Sequence, residues 1–458
     1  MDSIKNLVIF GATGDLASRL LLPGLGTLLR ADPECRVTVI GADRNDDGTW
    51  KQTVQQAFDT VDSHGPAAEH TLNTTRFITC DATSAQDLQS LLDGLEEPAC
   101  LYFALPPQVT MKSLEVLKGL QLPESLVLAL EKPIGHDLES ARKLNQLVAR
   151  LVPEKQTFRV DHFLNLPAVH SFAGLRFANR LLEPLLSREH VQSIEITYDE
   201  TLGLEGRAGF YDSSGAFRDM IQSHLLQVMS LVMMEPPARI DHVELPALTA
   251  HVLRSARLWG KDPASSVVRG RYTAGSVGGK DLPDYVSEQG VDPVKNTETF
   301  AQVTLEVDSW RWNGVPVTLR SGKAIGKPRK EITINFRRPP HEYPQFPHNG
   351  RVPPNVMRLR LDTGQLEFEM NVGGPFAVQG MERVTFQTDT SAPRLSAYGN
   401  VLKGILSADA TFSVRGDASE QGWRILADIQ KLFDDGLVPM SDYAAGSPGP
   451  TIPPLSSK

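Results

Sequence analysis

Residues 7–19 read Leu7-Val8-Ile9-Phe10-Gly11-Ala12-Thr13-Gly14-Asp15-Leu16-Ala17-Ser18-Arg19. An apolar run enters a Gly-x-x-Gly turn, and the turn leads into a stretch with helical spacing, Leu16–Leu29. Glycine permits the tight turn and a close backbone approach to a pyrophosphate, while the helix N-terminus offers unpaired N–H groups and the positive end of a dipole. The pattern is shorter than the full GxGxxG and is weak alone. Its weight comes from its place after an apolar strand and before a helix. The segment predicts a dinucleotide-binding turn.

Working outward, short apolar runs recur at Leu7–Phe10, Arg36–Ile40, Arg76–Thr79, Cys100–Leu105 and Leu126–Leu130, separated by helical stretches such as Leu138–Leu151. Strands that are apolar throughout and alternate with helices predict a parallel sheet covered on both faces, a doubly wound α/β domain over residues 1–160. Beyond residue 165 the rhythm changes. A helical region at 166–189 precedes a strand at Val191–Tyr198 and a helix at Ala216–Met234, stopped by Pro236 and Pro237. Strand-like runs follow at Phe300–Val307, Val315–Arg320, Glu331–Phe336, Met357–Leu361 and Gln365–Met370. No long helix separates the last four, which predicts an antiparallel sheet in an α+β domain over 161–445. Residues 446–458 read as a mobile Pro-rich tail, and the basic, Pro-rich stretch 323–351 as a solvated loop.

The chain has 458 residues, enough for two or three domains. Lys and Arg number 46 against 55 Asp and Glu, a net charge of -9 that argues against nucleic acid as a partner. Cys35, Cys80 and Cys100 sit in or beside apolar runs and read as reduced thiols. No CxxC or HExxH spacing suggests a metal site. There is no run of about 18 apolar residues and no charged leader before the first strand, so the expectation is a cytoplasmic protein without a membrane span.

The second strand runs into Gly41-Ala42-Asp43-Arg44. Asp43 lies where an acid accepts from the adenosine ribose hydroxyl, which favours NAD. Arg44 follows at once and can pair with the 2′-phosphate of NADP. The cofactor is therefore NADP or NAD, with the choice open.

Three further segments stand out: Glu131-Lys132-Pro133-Ile134-Gly135, Arg159-Val160-Asp161-His162-Phe163-Leu164, and Gly206-Arg207 continuing to Arg218-Asp219-Met220-Ile221-Gln222-Ser223-His224-Leu225-Leu226-Gln227. With the glycine turn, in this order, they resemble the glucose-6-phosphate 1-dehydrogenases over nearly the whole chain, and the likeness continues through LRSGKAI near residue 320 and from Ala397 to Ile425. The resemblance implies an N-terminal Rossmann domain, a C-terminal domain with a large antiparallel sheet, and a homodimer formed through that sheet. It also implies hydride transfer from C1 of a pyranose to NAD(P), giving a 1,5-lactone. In that family the base matches His224, oriented by the acid that matches Asp161. Lys132 matches the lysine that bridges sugar and nicotinamide, and Pro133 beside it reads as a fixed or cis bend. Glu200, Asp219 and Lys323 match residues that bind sugar hydroxyls, and His162 one that contacts the 6-phosphate. The cofactor-binding set is then Gly11, Thr13, Gly14, Asp15, Leu16, Asp43, Arg44, Pro106 and Lys132. Without the resemblance, His224 reads as a core histidine in an apolar helix and Asp161 as a strand-end acid capping a turn.

The departures are as informative. The family segment DHYLGKE reads DHFLNLP, so a phosphate-contacting Tyr is Phe163 and a phosphate-contacting Lys is Leu166. A family lysine in the first helix is Leu20, and a basic position after LRSGK aligns with Pro328. Each change removes a cation or a donor. A charge-assisted hydrogen bond contributes about 1.5–3 kcal/mol, so losing two removes about 3–6 kcal/mol, or about 10²- to 10⁴-fold in affinity. The expected substrate is an aldohexose that is unphosphorylated or altered at C6. One alternative is an ordinary glucose-6-phosphate 1-dehydrogenase, with His162 kept and Lys327, Arg329 and Lys330 supplying charge. Another is a catalytically silent nucleotide-binding regulatory protein, against which the joint presence of Asp161, His224 and Lys132 speaks.

Overall fold

The computed structural model describes residues 3–206, 208–341, 352–374, 381–388 and 394–455. Arg207 of the Gly206-Arg207 pair, residues 342–351 of the basic stretch and residues 456–458 of the tail lie outside the described residues. The chain forms two compact units, Met1–Pro167 with Glu235–His251 and Pro393–Trp423, and Ala168–Met234 with Val252–Ala392 and Arg424–Lys458.

The first unit is built on a six-stranded parallel sheet of β1 (Asn6–Phe10), β2 (Thr38–Asp43), β3 (Arg76–Thr79), β4 (Ala99–Phe103), β5 (Val127–Leu130) and β6 (Thr157–Arg159), in the order β3-β2-β1-β4-β5-β6. The order reverses between β1 and β4, where the glycine turn emerges. The uniformly apolar strands follow from two-sided burial. Leu7, Ile9, Val39 and Tyr102 enter one core, while Val8, Phe10, Ile40 and Leu101 enter the other. The expected helix after the turn is two pieces, a π-helical segment Ala17–Leu21 and an α-helix Leu22–Ala31. Ala397–Leu406 packs against that α-helix at glycines: a Cβ on Gly24 would lie 2.7 Å from Tyr398 Cβ, and one on Gly399 2.4 Å from Thr27 Oγ1.

The second unit holds β7 (Val191–Asp199), β8 (Ala256–Leu258), β9 (Val267–Thr273), a hairpin of β10 (Gly275–Val277) and β11 (Lys280–Leu282), β12 (Phe300–Val307), β13 (Val317–Gly322), β14 (Lys330–Phe336), β15 (Val356–Arg360), β16 (Leu366–Val372), β17 (Glu382–Gln387) and β18 (Met440–Ala444). Apart from the hairpin they form one sheet in the order β17-β16-β15-β14-β7-β13-β12-β9-β18, with β8 against β12. Its pairings are antiparallel, as the absence of intervening helices predicts, except β13 on β7 and β18 on β9, which are parallel. The expected helix at Ala216–Met234 is wound as a π-helix over Phe217–Leu225 before Leu226–Met233 continues as α.

Two expectations change. Residues 446–448 are held rather than mobile: Gly446 N–H donates to Ala324 O at 2.8 Å, Gly326 N–H to Ser447 O at 3.1 Å, and Arg320 Nη2 to Pro448 O at 2.7 Å. The parallel addition of β18 to β9 delivers the chain beside residues 320–326, and Gly326 lets the backbones meet, since a Cβ there would lie 2.0 Å from Gly446 O. The basic stretch is likewise only partly loop. Lys330 opens β14 with its ammonium over the Tyr198 ring, and Arg329 pairs with Glu195 at 3.7 Å. Among the described residues no helix is long and apolar enough to cross a membrane.

Candidate active site

In the first unit the candidate cofactor residues stand at the C-terminal ends of the parallel strands, the edge where doubly wound sheets bind nucleotides. Gly11 has φ +79°, and a Cβ there would lie 2.4 Å from Ala104 O, so only glycine fits. Gly14 N–H closes the turn on Gly11 O at 3.0 Å, exposing Thr13, Gly14 and Asp15, with Leu16 half-buried behind them. Asp43, at the end of β2, accepts from Thr13 Oγ1 at 2.6 Å and from Arg44 N–H at 2.8 Å, tying the second strand to the glycine turn. Arg44 is exposed. Pro106 follows β4 and caps the helix Pro107–Leu117. These residues fit a dinucleotide: a turn no side chain fills, open backbone at a helix start, and an acid at the ribose corner.

Lys132 follows β5 across Glu131, and its bond to Pro133 is cis. Asp161 and His162 come just after β6. Asp161 is 2 % exposed, and its Oδ1 accepts from Phe163 N–H at 2.9 Å, the turn cap its sequence position suggests. Burial pushes its carboxyl up to about 7, opposed by His162, the Phe163 N–H and Lys132. Asn165, which stands where the family segment has Gly, donates to Asp161 O at 3.1 Å and Phe412 O at 3.2 Å, fixing the turn. The His162 ring stacks on Tyr398 at 5.4 Å and meets the edge of Phe163 at 5.0 Å. Phe163 is buried, Leu166 half-buried and Leu20 exposed.

Tyr102 and Tyr398, which sequence patterning passes over as core aromatics, both donate to Glu131 Oε1, at 2.5 and 3.3 Å. Burial pushes the Glu131 carboxyl up, against these two phenols and Lys132. The signal was available in Glu131 itself, an acid at the end of a wholly apolar strand and next to a candidate binding lysine.

In the second unit the parallel pairing of β7 with β13 sets Asp199 opposite Gly322, so the next residues, Glu200 and Lys323, emerge side by side. Lys323 Nζ lies 2.9 Å from Glu200 Oε2 and 5.0 Å from the Tyr211 ring centroid. Tyr443 OH and Thr299 O hold the Lys323 main chain at 2.8 and 2.9 Å. Beneath them Asp199 is fully buried and paired with Arg320 at 3.0 Å. Asp219 and His224 lie on the π-helical segment, His224 buried and Asp219 half-buried. At about 100° per residue an α-helix would turn positions five apart well away from each other, whereas i→i+5 bonding stacks them more nearly on one face.

Both parts of the chain match known family models. Residues 8–170 match the glucose-6-phosphate dehydrogenase NAD binding domain, and residues 173–453 the glucose-6-phosphate dehydrogenase C-terminal domain. The chain is 33% identical over 474 residues to a glucose-6-phosphate 1-dehydrogenase of Zymomonas mobilis, covering 98% of this chain and 96% of that protein. It is 36% identical over 471 residues to one of Gluconobacter oxydans, covering 97% and 94%. Among solved structures, glucose-6-phosphate 1-dehydrogenase from Mycobacterium avium matches with a TM-score of 0.84 at 30% identity, covering 98% of this chain and 96% of that one. A glucose-6-phosphate dehydrogenase in complex with its substrate glucose-6-phosphate matches with 0.85 at 26% identity, with the same coverage. Matched from end to end in sequence and fold, the chain belongs to the glucose-6-phosphate dehydrogenase family of NAD(P)-dependent oxidoreductases, which act on a sugar CH–OH group.

Proposed function

We propose that this enzyme, acting in the cytoplasm, oxidises C1 of an aldohexopyranose that is unphosphorylated or altered at C6, giving the 1,5-lactone. The nicotinamide supplies a hydride acceptor. His224 serves as the general base that takes the anomeric hydroxyl proton as the C1–O bond becomes a carbonyl, and Asp161 is the acid that orients it. Lys132 bridges sugar and nucleotide. Glu200, Lys323 and Asp219 hold the sugar hydroxyls; the adjacent carboxylate and ammonium at the ends of β7 and β13 offer an acceptor and a donor to neighbouring hydroxyls. His162 contacts the 6-substituent. Gly11, Thr13, Gly14, Asp15, Leu16, Asp43, Arg44 and Pro106 hold the dinucleotide.

One observation carries the 6-position reading: the turn that presents Asp161 and His162 continues into buried Phe163 and half-buried Leu166, with no cation in DHFLNLP. Two of the three basic residues at 327–330 are engaged within their own unit. Arg329 faces Glu195 and Glu331, and Lys330 lies over Tyr198. Steady-state rates for glucose 6-phosphate, glucose and other aldohexoses, each with NAD and with NADP, test the proposal. A saturable preference for glucose 6-phosphate would refute the 6-position reading and favour an ordinary glucose-6-phosphate dehydrogenase. Absence of turnover with every sugar would favour a silent nucleotide-binding protein.

The same rates decide the cofactor, and NAD is the expected choice. Asp43 is pinned at the ribose corner by Thr13, and Arg44 is the one cation among residues 43–50. Its charge is shared with Asp81, whose carboxyl is held low by the hydroxyl and N–H of Thr83 and by Arg44. A 2′-phosphate therefore meets more anionic than cationic charge. Asp43→Ser keeps an acceptor for Thr13 and is expected to raise kcat/KM for NADP relative to NAD about tenfold, equivalent to about 1.4 kcal/mol. A wild-type preference for NADP would contradict this account.

A homodimer through the C-terminal sheet is the expected assembly. Register pairs Phe368 with Phe386 and Met370 with Val384, so these side chains share one face of the β16–β17 hairpin with Val372. Met370, Val372 and Phe386 are exposed there. Sedimentation at micromolar concentration should show a dimer that Phe386→Asp converts to a monomer; a monomeric wild type would rule it out.

A further inference from the structure

The second unit buries a carboxylate that the proposed chemistry does not use. Glu298, two residues before β12, is 9 % exposed. Its Oε1 accepts from Phe217 N–H at 2.9 Å, and its main-chain carbonyl accepts from Ala216 N–H at 3.2 Å. Phe217 opens the π-helical segment that carries Asp219 and His224. One distant residue therefore takes the two backbone donors at the entry to that segment. Three other helices are capped by a residue at their own N-terminus, Ser84, Asp137 and Ser396. Here the cap comes from 81 residues away.

Gly215 makes room for it. Its backbone lies at φ 66° and ψ 173°, and a Cβ there would lie 2.5 Å from Glu298 Oε1 and 2.8 Å from Cδ. The carboxylate fills the space the absent side chain leaves. On the other side, the Phe217 ring meets Phe433 edge-on at 5.3 Å, and the Arg269 guanidinium lies 4.3 Å from the Phe433 centroid. A negative charge at a helix start is favoured by the dipole. The segment it starts is a π-helix, a rare winding found mostly as short bulges at functional sites. A slip of one residue would turn Asp219 and His224 by about a quarter of a turn.

We propose that Glu298, seated against Gly215, is a positioning residue that fixes the start of the Phe217–Leu225 segment and so sets the placement of Asp219 and His224. It rests on the reading of His224 as the base. It predicts that loss of Glu298 damages turnover more than folding, because small misplacements of a base cost large factors in rate.

The test compares kcat, KM for the best aldohexose, NAD affinity and melting temperature in Glu298→Ala, Glu298→Gln, Gly215→Ala, the double variant Gly215→Ala/Glu298→Ala, and His224→Asn. Glu298→Ala is expected to lower kcat about 30-fold or more at unchanged NAD affinity, whereas Glu298→Gln keeps an acceptor for Phe217 and stays within about threefold of wild type. Gly215→Ala should also lower kcat, and in the double variant the two losses should be far from additive, because the methyl then enters the space the carboxylate leaves. A Glu298→Ala enzyme that melts lower but keeps kcat per NAD-binding site overturns the proposal. If that variant does not fold, Gly215→Ala with wild-type kcat overturns it. Intact turnover in His224→Asn would instead overturn the assignment of the base. Loss of turnover there, with none in Glu298→Ala, removes only the positioning role.

Discussion

His224→Asn is expected to bind NAD with nearly wild-type affinity and to lose about 10²- to 10⁴-fold in kcat, the range general-base assistance contributes. Asn keeps a polar side chain of similar reach in the buried π-helical segment, so the loss reports the missing base rather than a cavity. Nucleotide titration and steady-state rates on the same preparation check it. Unchanged turnover would mean the base is another group, and joint loss of binding and turnover would make His224 structural. The pH dependence adds an independent arm. Burial, partly offset by His162, the Phe163 N–H and Lys132, puts the Asp161 carboxyl at about 7, so the wild-type kcat/KM should fall as pH drops through neutrality, when the orienting acid takes up a proton. The stability consequence has the opposite sense to that of an ordinary paired carboxylate. Between its usual value of 3.8 and about 7 the folded protein holds this proton more tightly than the unfolded chain does, so stability declines as pH rises across that window. Asp161→Asn removes that penalty: it should melt higher than wild type at about pH 8, converge with it near pH 4, and lose activity. A kcat/KM flat from about pH 5.5 to 8 would exclude Asp161 from the role given to it.

How much of this was legible in the sequence depends on whether the cause was local. β1, β4 and β5 are apolar on both faces, and the glycine turn is forced by a backbone contact at Gly11, so both left marks a reader can find. The pairing of β7 with β13 left none. Residues 199 and 322 are neighbours only through strand order, and local alternation says nothing of order. The emergence of Glu200 beside Lys323 was therefore carried by resemblance alone. π-helical winding at Phe217–Leu225 is similarly silent, because its apolar residues satisfy a helical period and the carboxylate that meets its first N–H, Glu298, lies 81 residues away. The segment after β18 misled for a related reason: Pro and Gly read as mobility, whereas here residues 446–448 pack their backbone closely against residues 320–326. Tyr102 and Tyr398 look like core aromatics until their hydroxyls are seen to converge on Glu131.

Putting the missing groups back, with Leu166→Lys and Phe163→Tyr together, is expected to raise kcat/KM for glucose 6-phosphate by about 10- to 10²-fold, the value of one charge-assisted bond at about 1.5–3 kcal/mol. Values for unphosphorylated aldohexoses should change little. The two substitutions should not contribute equally. Leu166 is half-buried, so a lysine there can extend its stem along the surface it covers and keep its ammonium hydrated until a phosphate arrives. Phe163 is 4 % exposed with its ring edge on His162, so a tyrosine hydroxyl placed there without a partner costs about 1–3 kcal/mol, which cancels its gain. Leu166→Lys alone should therefore account for most of the increase, about 10- to 10²-fold, and Phe163→Tyr should help only in its presence. That ordering separates a lost phosphate site from one that was never needed. If the cationic residues 327–330 already served the phosphate in the wild type, Leu166→Lys would add a charge to an occupied site and improve glucose 6-phosphate turnover hardly at all.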